Sequence, residues 1–141
     1  MSTTSVTAGS AGTSSSASVA ILVGRILISA LFILAGFAKL TTISATAGWF
    51  GSIGLPVPTV TAVVVGLVEL LGGLAILVGF QTRLAAIVIA LFTIGATLVA
   101  HLDFADQMQV LMLQKNLAIA GGLLILAFVG AGSLSVDARR S

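Results

Sequence analysis

Glu69 is a carboxylate in the middle of an otherwise apolar run, VTAVVVGLVELLGGLAILVGF, from Val60 to Phe80. At about 1.5 Å per residue such a run crosses the roughly 30 Å hydrocarbon layer of a bilayer, with the acid near mid-depth. A glutamate facing acyl chains has no partner in either protonation state, so Glu69 is predicted to turn into a helix bundle and meet a cation, a donor or a ligand. Ala62, Gly66, Glu69 and Gly73 follow one another at spacings of four, three and four, which puts three small residues on the helix face of the acid and marks that face for close packing.

The other groups able to do chemistry are few. Arg25, Ser29, Phe32, Gly36 and Lys39 follow a four, three, four, three spacing and form one stripe of the first apolar helix. Two readings of Arg25 stand side by side: its stem snorkels to the interface, or its guanidinium pairs with Glu69. The pair is favoured, because two spans starting near opposite membrane edges put the two residues within about 10 Å in depth. His101 closes a stripe of Ala86, Ala90, Thr93 and Thr97 and is placed near the outer end of the bundle interior, where its simplest role is an interfacial bond to a loop carbonyl. Lys39 and Lys115 stand at helix ends, where lysines ordinarily snorkel, and Asn116 stands at the mouth of the last span. Glu69 and His101 are the candidate catalytic residues; Arg25, Lys39, Lys115 and Asn116 are the candidate cofactor-binding residues. No metal site is expected from one histidine and no cysteine, and structural disulfides and thiolate chemistry are excluded.

The elements that must hold these residues follow from composition. Of 141 residues, 58% are hydrophobic and 7% charged, with a mean hydropathy of +1.25, far from the soluble average of about a quarter charged. The chain reads as an all-α integral membrane protein, a four-transmembrane-helix up-down bundle. Its spans are placed at about 19–38, 60–80, 84–102 and 117–134 within a transmembrane domain of 19–137. Residues 1–18, rich in Ser and Thr without a basic n-region, read as a disordered tail rather than a cleaved signal, and 138–141 as a basic C-terminal tail. The Gly, Ser and Thr-rich stretch after Leu40, ending in Pro56 and Pro58, reads as a loop with a short interfacial piece; Trp49 and Phe50 suit the headgroup layer. Asp103 to Lys115 reads as a polar excursion. Asp137 most simply pairs with a nearby basic group. GGLAIL at Gly72 to Leu77 echoes GGLLIL at Gly121 to Leu126, through two similar hairpins or through low complexity. Arginines lie toward the termini, and Lys39 and Lys115 toward the other side with Asp103 and Asp106, so the positive-inside rule puts both N and C termini in the cytoplasm.

Taken in order, GR at Gly24, AGFAKL at Ala35, GLP at Gly54, GFQTR at Gly79, His101, NLAIAGG at Asn116 and GAGSLSVD at Gly130 resemble the DoxX family of small bacterial inner-membrane proteins. The resemblance implies a four-helix bundle in the inner (plasma) membrane, tied to subunits of membrane oxidoreductases, including a thiosulfate to quinone enzyme, and to oxidative-stress complexes. The expected role is an accessory or quinone-associated subunit in contact with the lipid bilayer. A soluble oxidoreductase or quinone is its expected partner, and a homo-oligomer is compatible with the pattern. Quinone carbonyls need donors, which His101 with Lys39 or Lys115 can supply, while Glu69 can relay protons. The alternative is a non-catalytic scaffold or small-solute transport protein in which Glu69 and Arg25 only fix helix register. No haem pair, flavin fingerprint or phosphate loop stands in the sequence, so no covalent cofactor is expected, electron transfer needs a quinone or a partner, and whether the chain itself catalyses stays open. Nothing points to nucleic acid, since the net charge of +2 rests on few residues and forms no basic cluster.

Overall fold

In the computed structural model, residues 14–140 are described, and residues 1–13 of the expected N-terminal tail, with Ser141, lie outside them. The helices are α1 (Ser15–Thr41), α2 (Ile43–Ser52), α3 (Pro58–Val78), α4 (Thr82–Ala100), α5 (Gln107–Val129) and α6 (Val136–Arg140). Four of them, α1, α3, α4 and α5, are long and apolar enough to cross a membrane, and no strand is present among the described residues. The architecture is an all-α four-helix membrane bundle.

Boundaries differ from the sequence expectation at both ends. The Ser14 hydroxyl accepts the Ala17 amide and caps the helix, which starts at Ser15, four residues before Val19, so residues 15–18 are helical rather than part of a tail. At the other end Asp106 accepts the Met108 amide and starts α5 at Gln107, which turns most of the expected polar excursion of Asp103 to Lys115 into helix. Val136–Arg140 form α6, so residues 138–140 of the expected basic C-terminal tail are helical.

Small residues set the packing. A Cβ on Gly36 would lie 2.5 Å from the Leu70 amide nitrogen and 2.7 Å from the Gly66 carbonyl, so α1 and α3 meet backbone to backbone. One Cβ on Gly73 would come within 3.0 Å of the Ile33 nitrogen, which fixes the antiparallel register at a second point. The faces in contact are the two stripes of the sequence: Arg25, Ser29, Phe32 and Gly36 are buried on α1, and Ala62, Gly66, Glu69 and Gly73 on α3. α4 packs on α5, α2 lies against α3, and the core gathers Phe32, Ile76, Ile89, Leu123 and Leu126. The GGLAIL echo is not carried into packing, since Gly72 presses on Ile89 whereas Gly121 meets nothing within 4 Å. Leu27, Leu34, Leu71, Leu91, Ile125 and Phe128 project outward, the distribution expected when lipid is the solvent.

The end of the bundle that carries the described termini is tied by charged groups acting on backbone. Asp137 does not form the expected ion pair with a nearby basic group among the described residues. Its carboxylate accepts the amides of Gln81 at 2.7 Å and Thr82 at 2.9 Å, serving as an N-cap for α4, whose own Gln81 makes no side-chain cap. Burial opposes the Asp137 charge, but bonds from Thr82 and Gln81 and the nearby Arg140 outweigh it and hold the carboxyl below the ordinary aspartate range. Arg83 donates to the Ala127, Phe128 and Val129 carbonyls at the last turn of α5.

Candidate functional site

The favoured pairing of Arg25 with Glu69 is not formed, and Arg25 does not snorkel. It is 1% exposed and donates from Nε to the Ile76 carbonyl at 2.9 Å and from Nη2 to Leu77 at 2.8 Å. Its Nη1 reaches Ala131 at 2.8 Å and Leu134 at 2.9 Å in the segment after α5. One planar guanidinium thus satisfies orphan carbonyls at the end of α3 and ties them to the connection leading into α6. The approach depends on Gly79, which has a φ of +73° and where a Cβ would lie 3.1 Å from the Arg25 guanidinium and 2.4 Å from the Ser135 Cβ. Arg25 is a structural clamp, remote from the groups that gather at the opposite end.

Lys39 takes the place assigned to Arg25. Its Nζ lies 2.8 Å from Glu69 Oε2, with the two side chains 24% and 10% exposed. The reason is register. With Gly36 seated between Gly66 and Leu70, the next turn of α1 carries Lys39 alongside Glu69, whereas Arg25 falls beside the last turn of α3. A partly buried lysine and carboxylate at this depth each supply the partner the other lacks, so the pair is neutral as a unit.

The pair opens onto a cavity of about 310 Å³ between the α1/α3 and α4/α5 pairs. Lys39, Glu69, His101, Lys115 and Asn116, five of the six candidate residues, line it. Its walls are otherwise largely apolar, with Phe32, Val65, Phe92 and Val99 among them, and α2 contributes Trp49 and Phe50. Sequence reasoning missed the two aromatics as lining residues by assigning them to the headgroup layer. The signal was available in the short helix from Ile43, where Phe50 is buried.

Each polar group has a distinct state. His101 follows the last turn of α4, and its Nδ1 lies 2.7 Å from Gln109 Oε1, a side-chain partner in place of the expected loop carbonyl. Asn116 donates from Nδ2 to Thr97 Oγ1 at 2.9 Å, and Thr97 in turn donates to the Thr93 carbonyl at 2.7 Å. Lys115 forms no hydrogen bond or ion pair among the described residues and interacts with Glu69 only at longer range. An apolar chamber with a carboxylate, an imidazole, an amide and two ammonium groups at one end can orient an apolar ring by its oxygen substituents and exchange protons with it.

The comparisons with known proteins agree with this architecture. The family model described as DoxX matches residues 20–102, a segment that contains Arg25, Lys39, Glu69 and His101. Inner membrane protein YqjF of Escherichia coli (strain K12) is 43% identical over 119 residues, covering 84% of this chain and 90% of its own length. Inner membrane protein YphA of the same organism is 31% identical over 127 residues, 86% of this chain and 90% of its own length. A Bacillus subtilis (strain 168) protein named "Putative oxidoreductase CatD" is 35% identical over 78 residues, 55% of this chain and 57% of its own. No solved structure matches significantly. With its ordered motifs, its four apolar helices and a family match over more than half its length, the chain belongs to the DoxX family.

Proposed function

We propose that this DoxX-family membrane protein is an accessory, quinone-associated subunit of an inner-membrane oxidoreductase or oxidative-stress complex, and that the cavity beside Glu69 receives the quinone ring. The observation that carries the reading is the meeting of Lys39, Glu69, His101, Lys115 and Asn116 on one apolar chamber of about 310 Å³. That volume lies at the lower end of the range for small-molecule pockets, about 300–1,000 Å³, and suits a ring rather than a whole isoprenoid tail. The amino groups and imidazole face the ring oxygens, and Glu69 exchanges protons with them as the ring changes redox state. Electrons come from a soluble oxidoreductase docked on the membrane subunit. The oxidoreductase in the name of the Bacillus relative supports the class of reaction, and the names of the Escherichia relatives support the inner membrane. Both termini face the cytoplasm on this reading, because Arg83, Arg139 and Arg140 gather at their end of the bundle and Asp103 and Asp106 lie at the other.

Trp49 is the sole tryptophan and lines the cavity, so it reports occupancy directly. Titrating 2-methyl-1,4-naphthoquinone into the protein in nanodiscs of zwitterionic lipid should quench its fluorescence saturably, and the Glu69→Gln variant should weaken that binding while staying folded. Quenching that rises without saturation, as for a tryptophan ester dissolved in the same discs, would leave the scaffold reading, in which the Lys39–Glu69 pair only fixes register.

A further inference from the structure

We infer that the cavity selects a ring ligand carrying a negative charge, with Lys115 as the residue that reads it, so that the preferred ligand class is an acidic hydroxyquinone rather than a neutral quinone. The inference rests on the quinone reading and adds to it the charge of the ligand. It follows from a count of charges on the cavity wall. Lys39 and Glu69 neutralise one another at 2.8 Å. His101 is engaged by Gln109, and Asn116 spends an amide hydrogen on Thr97. Lys115 is the remaining cation, and no carboxylate lies within ion-pair distance of it among the described residues.

The acids nearest in sequence are committed elsewhere. Asp103 accepts the Ala105 amide at 3.1 Å and Asp106 accepts the Met108 amide at 2.9 Å, each within its own turn at the entry to α5. Glu69 is held by Lys39, and Arg25 and Arg83 sit at the far end of the bundle on backbone carbonyls. The chamber therefore presents a net positive charge against largely apolar walls. A ligand with an ionised oxygen supplies the partner that Lys115 lacks, and its apolar body fills the space between Phe32 and Phe92. A neutral quinone meets the same apolar walls but gives the exposed ammonium no charge-assisted bond in place of its water.

The discriminating experiment uses two probes of similar size on the full-length protein in zwitterionic nanodiscs, with Trp49 quenching as the readout. The probes are 2-hydroxy-1,4-naphthoquinone, ionised at neutral pH, and neutral 2-methyl-1,4-naphthoquinone. The acidic probe is expected to bind roughly ten- to a hundredfold more tightly, the range of a charge-assisted hydrogen bond. Lys115→Gln should abolish the difference and Lys115→Arg should preserve it. Because Lys115 is exposed and bonds to no other group among the described residues, neither change should disturb the fold. Equal affinities for the two probes, or a preference that survives Lys115→Gln, would overturn the inference while leaving the quinone reading intact. Saturable quenching by neither probe would remove both.

Discussion

Replacing Lys39, Glu69 and Arg25 singly and in pairs distinguishes the ion pair present in this bundle from the one the sequence favours. Lys39 and Glu69 are 2.8 Å apart, with side chains 24% and 10% exposed, so their coupling should exceed the 0.2–1 kcal/mol typical of exposed pairs and reach about 1–3 kcal/mol. Arg25 and Glu69 should be independent. The guanidinium rests on the Ile76 carbonyl, which lies about 10 Å along α3 from Glu69 at 1.5 Å per residue, a distance at which effects add within about 0.5 kcal/mol. Arg25→Met nevertheless carries the largest single cost. It removes hydrogen bonds to Ile76, Leu77, Ala131 and Leu134, and at about 1 kcal/mol for each the loss is about 4 kcal/mol. Arg25→Lys should recover only part, because one ammonium cannot reproduce the planar fork that spans two chain segments. Free energies would be read from unfolding in mixed micelles titrated with dodecyl sulfate, followed by far-ultraviolet circular dichroism for Lys39→Met, Glu69→Gln, Arg25→Met and the doubles. Coupling above about 1 kcal/mol between Arg25 and Glu69, or additive losses for Lys39 and Glu69, would refute the register on which the site is built.

Three further outcomes follow from other parts of the bundle. Gly36→Ala should cost about 1–3 kcal/mol, since its Cβ would meet the backbone of α3 at 2.5 Å, while Gly95→Ala, with nothing within 4 Å, should be neutral or slightly stabilising in the same titration. Asp137→Ala should cost about 1 kcal/mol through loss of the α4 cap. Because the Asp137 carboxyl is held below the ordinary value of 3.8, its contribution is present above that pH and fades as the pH falls through the lower folded value, so wild type and Asp137→Ala should converge in melts at acidic pH; a constant gap would remove the cap from the account. Cysteine introduced at Ser10 or Ser141 should resist a membrane-impermeant thiol reagent in intact cells; ready labelling at both would reverse the proposed orientation.

Much of this bundle is legible in the sequence because membrane helices bury small and polar residues at helical spacing. The stripe of Arg25, Ser29, Phe32 and Gly36 and that of Ala62, Gly66, Glu69 and Gly73 are both buried faces, and they meet. The choice of cation for Glu69 was not legible from depth alone. Estimating depth from assumed membrane edges leaves an error of several residues, and a helix of 27 residues, about 40 Å long, is free to slide within it. Matching glycine to glycine across the two stripes supplies the missing constraint: once Gly36 faces Gly66, Lys39 is the basic residue that reaches Glu69. The α5 start was missed for another reason. Gln107, Gln109 and Gln114 are polar yet good helix formers, and Asp106 caps them, so low hydropathy did not imply loop.

The two ends of the bundle use their charges differently, and the proposed site rests on that asymmetry. At the end carrying the described termini, Arg25, Arg83 and Asp137 all bind backbone: two guanidiniums take helix C-terminal carbonyls and one carboxylate takes helix N-terminal amides. Those groups are saturated, and their loss is a loss of fold. At the opposite end Lys39 and Glu69 bind each other, while Lys115 binds neither backbone nor side chain among the described residues, beside a cavity of about 310 Å³. Backbone partners cannot be surrendered without opening a helix end, whereas a side-chain pair can exchange partners with a ligand at little cost to the scaffold. Under the proposed reading, the Lys115 ammonium beside the cavity is the group that a bound ring would engage.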